Sequence, residues 1–228
     1  MYTNVNLAAP IGVLLFLGTA LLIFCFVLFL IFSLVKKRFS LIKFSTLAMV
    51  VIAALYLSLL LLFSWSSSEK VLARGQEKHF CEVDCHLAYS ILDSQATKTL
   101  GTAPNQVTAA GLFRVITIKT RFDETTISPT RGNALLYPNA RALVVIDANG
   151  KQYFPSADAQ RLLQGLNQAG MPFTAPLRPG DTYQTTAVFD LPADIQSPAL
   201  LIHESAPETR FVIGHENSLL HKKTRFQI

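Results

Sequence analysis

Two runs of this sequence, residues 11–35 and residues 44–65, contain no charged side chain. At 1.5 Å of helical rise per residue the first extends about 37 Å and the second about 33 Å, against a bilayer hydrocarbon core of about 30 Å. Each is therefore long enough to cross a membrane, and the pair is predicted to form a helical hairpin. A cleaved signal peptide does not fit the first run, which lacks a basic segment before it and is too long. Gly18 and Ala20 are predicted to let the two helices approach closely. Between their ends the spans hold no ionisable group except the Cys25 thiol, read as a small apolar packing residue. Ion pathways need acidic, basic or imidazole groups, so transport through the hairpin is not expected.

The net charge of +5 would suit a nucleic-acid binder, and its distribution argues against one. Lys36, Lys37, Arg38 and Lys43 lie in the connection between the apolar runs; the other 16 Lys and Arg follow residue 65, beside all 15 Asp and Glu. By the positive-inside rule a short basic loop at 36–43 is cytoplasmic. The expectation is a two-pass protein of the inner or plasma membrane, with an exported tail (1–10) and everything after residue 65 extracytoplasmic. The bilayer is one expected partner, another membrane or envelope protein a second, and nucleic acid is not expected.

Residues 66–79 read as a tether and 80–228 as one exported domain. Alternation of apolar and polar residues predicts strands at 87–92, 112–122, 183–189, 199–203, 210–213 and 224–228; for the first, a helix over 77–92 with Phe80, Val83, Leu87 and Ile91 on one face is the competing reading. In 112–122, Leu112, Ile116, Ile118 and Phe122 share one face, with Thr117, Lys119 and Arg121 opposite. Residues 142–146 and 151–154 flank Asp147-Ala148-Asn149-Gly150, a hairpin whose Asn-Gly supplies the positive φ of a tight turn. A short helix is predicted at 157–168. Seven or so short strands without βαβ alternation predict an all-β, immunoglobulin-like sandwich after two transmembrane α-helices.

Leu177-Arg178-Pro179-Gly180-Asp181, Ala187-Val188-Phe189-Asp190-Leu191-Pro192 and Asp147-Ala148-Asn149-Gly150-Lys151-Gln152-Tyr153 resemble motifs of exported bacterial immunoglobulin-like domains of uncharacterised function. The resemblance covers about residues 88–213. It implies a fold and no catalytic residue.

The densest potential chemistry is His79-Phe80-Cys81-Glu82-Val83-Asp84-Cys85-His86. Three readings compete. Cys81 and Cys85 form a disulfide in an oxidising compartment, or Cys81, Cys85 and His86 bind a metal with His221 as remote fourth ligand, His79, His203 and His215 standing behind it. Soft thiolates with imidazole suit copper, ahead of zinc. The third reading, c-type haem attachment, requires one residue fewer between the cysteines. Glu82 and Asp84 read as solvated turn residues.

A two-helix hairpin before an exported sandwich is similar in plan to subunit II of haem-copper oxidases. Here Tyr89 stands where that family places a histidine, and Met171 is the single methionine after the hairpin. No nucleophile elbow or phosphate loop is present, so an enzyme is not expected. The function expected is a membrane-anchored binding or accessory protein; the alternative is a redox or metal-handling protein using the Cys/His cluster.

Overall fold

The computed structural model describes residues 2–3, 9–80, 86–126 and 130–228. The chain divides into two compact units. One comprises Met1–Asn4, Glu69–Ala206 and Lys223–Ile228; the other comprises Val5–Ser68 and Pro207–Lys222.

The second unit contains helices α1 (Ala9–Val35) and α2 (Phe39–Trp65). Helix α1 ends in a tight reversal: Lys37 adopts φ 52°, and the amides of Lys37 and Arg38 donate to the carbonyls of Leu34 and Ser33. These two bonds satisfy carbonyls that the helix end would leave bare. The helices pack on each other near this turn through Ser33 and Ser45, both fully buried, and through the Phe26–Phe44 ring pair. Each serine hydroxyl donates to the carbonyl four residues back, so neither buries an unpaired polar group. Most other apolar side chains of both helices face outward, Cys25 among them. Close approach at Gly18 does not occur: the position is open, with no atom near where a Cβ would stand. Small size there permits contact without compelling it, and the larger residues around it set the spacing.

The first unit is a two-sheet sandwich. Its strands are β1 (Tyr2–Thr3), β2 (Lys70–Leu72), β3 (Lys78–Phe80), β4 (Leu87–Thr102), β5 (Asn105–Phe122), β6 (Arg141–Ile146), β7 (Gln152–Tyr153), β8 (Thr182–Leu191), β9 (Ala199–Glu204) and β10 (Thr224–Gln227). One sheet has the order β1-β3-β4-β5-β8, the other β2-β10-β9-β6-β7. The alternation read in the sequence is the alternation of the sheet faces. Leu87, Tyr89, Ile91, Ile116, Ile118, Phe122 and Phe189 point inward, meeting Val145, Leu200, Ile202 and Phe226 of the facing sheet. The Asn149-Gly150 turn closes β6 onto β7 with Gly150 at φ 81°. Asp147 holds that turn by accepting from the amides of Asn149 and Lys151.

Two expectations about strands are corrected. Residues 70–72 and 78–79, within the expected tether, lie in strands paired with β10 and β4; runs of two or three residues carry too little periodicity to read as strands. Residues 210–213 are no strand: Pro207–Phe211 is a 3-10 helix and the chain then turns at Gly214, φ 78°. Proline and glycine confine the apolar residues of this stretch to a length too short to extend along a sheet edge. The short helix predicted at 157–168 is present, three residues shorter than expected. Helix α3 (Ala157–Gly165) packs Ala159 and Leu163 onto Phe113 and Val188, on the sheet face opposite the sandwich core. Ser156 caps it, accepting from the Ala159 amide.

Candidate functional site

Strand β3 buries three consecutive residues completely, two of them ionisable: Lys78, His79 and Phe80. A pleated strand sends neighbours to opposite faces, so Lys78 and Phe80 enter the sandwich interior while His79 faces the other way.

Inside, the Lys78 ammonium donates to the carbonyls of Ile202 and Thr224, at 3.1 Å each. Strands β9 and β10 pair at Phe226–Leu200 and Gln227–Ala199. Continuing that antiparallel register would set Thr224 opposite Ile202. Lys78 therefore reaches from one sheet to the other and bridges the carbonyls at the point where the β9–β10 ladder stops. Two cations stand over the Phe80 ring, with Lys78 Nζ 4.8 Å and Arg141 Cζ 4.6 Å from its centroid. Arg141 Nη1 also stands 3.7 Å from Glu204 Oε1.

On the opposite face, cross-strand pairing sets His79 beside Ala88 and Ala88 beside Arg121. The small alanine leaves room for its two neighbours to converge on Asp123, the residue just past β5. His79 Nε2 lies 2.9 Å from Asp123 Oδ2, with both side chains 1 % exposed. Arg121 Nη2 is 3.2 Å from the same oxygen, and the guanidinium makes a two-pronged contact with Glu77, at 2.8 and 2.7 Å. The other Asp123 oxygen accepts from the Thr125 amide (3.0 Å) and hydroxyl (2.7 Å).

Burial works against a charge on Asp123. Donation from the Thr125 hydroxyl, His79, Arg121 and the Thr125 amide outweighs it and holds the carboxyl well below the usual range. The hydrogen bond from Arg121 likewise lowers Glu77, and Glu77 in turn raises Arg121. An ionised carboxylate only accepts, so Nε2 carries the His79 proton facing it. His79 Nδ1 is buried with no hydrogen-bond partner among the described residues.

Glu77, His79 and Asp123 bring ligand-type atoms within 4.8 Å of one another. A divalent cation would nevertheless have to displace the Arg121 guanidinium from both carboxylates. The donor set fits an internal ion-pair network better than a metal centre. Being 1 % exposed, His79 is also out of a substrate's reach unless protein moves.

Of the residues singled out from sequence, Cys81 and Cys85, with the disulfide alternative and Glu82 and Asp84, lie outside the described residues. His86 is buried, its ring stacked on Phe122 at 5.6 Å, and its carbonyl accepts from the Asp123 amide. His203 donates through Nδ1 to the Glu204 carbonyl, and His215 Nδ1 accepts from the Asn217 amide. His221 donates through Nδ1 to the Lys222 carbonyl and is half-buried. It belongs to the unit of the two helices, whereas His86 belongs to the sandwich. The residues that His86 does join, Asp123 and through it His79 and Arg121, were not grouped from sequence. Asp123 and Glu77 carried no signal beyond their positions next to strands; Arg121 was recognisable only as facing away from the core.

No protein-family model matches this chain, and no curated protein matches it. Among solved structures it is similar to MPT63, a secreted protein from Mycobacterium tuberculosis (11% identity, TM-score 0.42, 71% of this chain and 98% of that one). It is similar also to an uncharacterised β-sandwich protein from Clostridium difficile 630 (9% identity, TM-score 0.40, 72% and 96%). A third likeness is to a conserved hypothetical protein from Bacillus anthracis (11% identity, TM-score 0.39, 57% and 87%). At these scores the likenesses carry no functional argument. The fold description rests on the two sheets themselves.

Proposed function

We propose that this protein is a membrane-anchored extracytoplasmic accessory module: an immunoglobulin-like sandwich exported on a two-pass anchor, which docks on another membrane or envelope protein. One observation carries the anchor. Over Ile11–Val35 and Phe39–Trp65, 0% and 6% of the most apolar stretch is buried, at mean hydropathies of 3.0 and 2.6. Helices of a soluble core bury such surfaces against protein; these leave them open, as lipid contact requires. The charge asymmetry supplies the orientation, since the turn between the helices carries Lys36, Lys37 and Arg38, and Lys43 follows one turn later. An accessory role, ahead of an enzymatic one, is supported by the burial of His79 and Asp123, each 1% exposed, in a network that links the ends of β3 and β5.

Protease added to spheroplasts should remove the sandwich while a cytosolic control survives. Protection of the sandwich under those conditions would refute the orientation.

A second reading, metal handling by Cys81, Cys85, His86 and His221, is favoured by His79 Nδ1, two residues before Cys81, which has no hydrogen-bond partner among the described residues. Copper is the metal its chemistry suits best. Metal analysis and a visible spectrum of the detergent-purified protein test it. A protein with no bound metal, and no thiols reactive before reduction, would eliminate this reading in favour of a Cys81–Cys85 disulfide.

A further inference from the structure

Pro207–Lys222 leaves the sandwich between β9 and β10 and belongs to the compact unit of the two helices. Its contacts place it along their sides. The Tyr56 hydroxyl donates to the Phe211 carbonyl at 2.5 Å. Tyr56 lies nine residues before Trp65, the last residue of α2, which is about 13 Å along the helix axis. At the second turn of α1, Gly12 is buried, and a Cβ there would collide with the Ile213 carbonyl. The segment's end is tied just past α2, where the Lys222 amide donates to Ser67 Oγ at 2.9 Å. The chain thus runs from the end of α2 to a level well inside its apolar run.

Irregular backbone at such depth survives only if its polar groups are satisfied by protein. This segment satisfies many of its own. Val212 donates to the Thr209 carbonyl, His215 to Val212, Ser218 to His215, Leu219 to Arg210 and His221 to Ser218. The Ser218 hydroxyl donates to the Val212 carbonyl, and the Asn217 amide to His215 Nδ1. Val212, Ile213, His215, Glu216 and Ser218 are buried. The large apolar side chains left over point out: Phe211 and Leu219 are each 49% exposed and Leu220 is 76% exposed. Leu220 does so from a left-handed backbone, φ 62°, a conformation that a side chain with a Cβ rarely adopts. Arg210 and Lys222, exposed beside this apolar edge, suit anionic headgroups.

We infer that Pro207–Lys222 is a third membrane-associated element, which dips into the outer leaflet beside the hairpin and sets Phe211, Leu219 and Leu220 into the headgroup–acyl boundary. The occupant of this apolar edge is lipid. Phe211 meets α2 at Tyr56, a helix whose other large apolar side chains are mostly exposed, and that contact fixes the depth of the segment. The inference rests on the hairpin spanning the membrane.

The protein has one tryptophan, Trp65, so single-tryptophan variants of the full chain test both levels separately. In a Trp65→Phe background, Leu55→Trp reports the hairpin, while Phe211→Trp and Leu220→Trp report the segment. Each is reconstituted in phosphatidylcholine–phosphatidylglycerol vesicles with and without brominated acyl chains. Leu220 is exposed enough that its variant should fold even if Phe211→Trp does not. Loss of emission with brominated lipid for Leu55→Trp and for Leu220→Trp, together with Phe211→Trp if it folds, supports the inference. Loss for Leu55→Trp alone overturns it while leaving the hairpin intact, and points to protein as the cover. No loss for any variant overturns the inference and the membrane hairpin together.

Discussion

At the scale of single residues, β3 is the unusual feature, because adjacent side chains commit ionisable groups to both faces of one sheet. Asp123 collects contacts from His79, Arg121 and both the amide and the hydroxyl of Thr125, with its side chain 1% exposed. A carboxylate whose folded pKa is depressed contributes stability that is fully present above its unfolded value, near 3.9. That contribution is lost as pH falls through the folded value. Asp123→Asn should therefore cost about 3 kcal/mol near neutral pH, since Arg121 loses a buried counter-charge and His79 its ionised acceptor. Its stability should then fall less steeply than the parent's below about pH 4. Urea titrations followed by circular dichroism across that range check both statements; equal slopes would remove Asp123 from the acid response. Lys78→Met keeps most of the apolar stem and strips the ammonium from two carbonyls. A loss of about 2 kcal/mol is expected, read from the same titrations.

At the scale of elements, most strands were legible because alternation is a local property. Ile116, Ile118 and Phe122 had to share a face once the segment was extended, and that face had to be the core. Ile118 is fully buried, so Ile118→Asp would bury an unpaired carboxylate. It is expected to destabilise the protein by 4 kcal/mol or more, roughly the limit for a single substitution, and to leave no cooperative unfolding transition. The second function of β5 was not legible. Phe113 and Val115 occupy the opposite parity and pack with α3, an arrangement that requires knowing which surface the helix covers. The cap of α3 is a smaller matter: Ser156→Ala should cost about 1 kcal/mol. A change well below that would mean the 3.4 Å contact to Ala159 does not act as a cap.

At the scale of the whole molecule, the proposed orientation depends on a handful of charges. Replacing Lys36, Lys37, Arg38 and Lys43 together with glutamine would remove every cation between the spans. By the positive-inside rule the variant should insert with mixed orientation, so that added protease leaves a protected fraction of sandwich in spheroplasts. Complete digestion, as for the parent, would show that other features set the topology.

The sequence by itself determined the two apolar helices, the β character of most of the chain beyond them and the inward face of each longer strand. These properties come from runs and periods, which neighbouring residues carry among themselves. Only the tertiary structure decided which charges meet. Glu77 and Arg121 are 44 positions apart, as are His79 and Asp123, and they converge through the register of three paired strands with Ala88 between. It also decided that Pro207–Lys222 belongs with the helices and not with the sandwich. That outcome turns on Gly12 and Tyr56, distant residues whose size and hydroxyl make room for a backbone the local sequence cannot place.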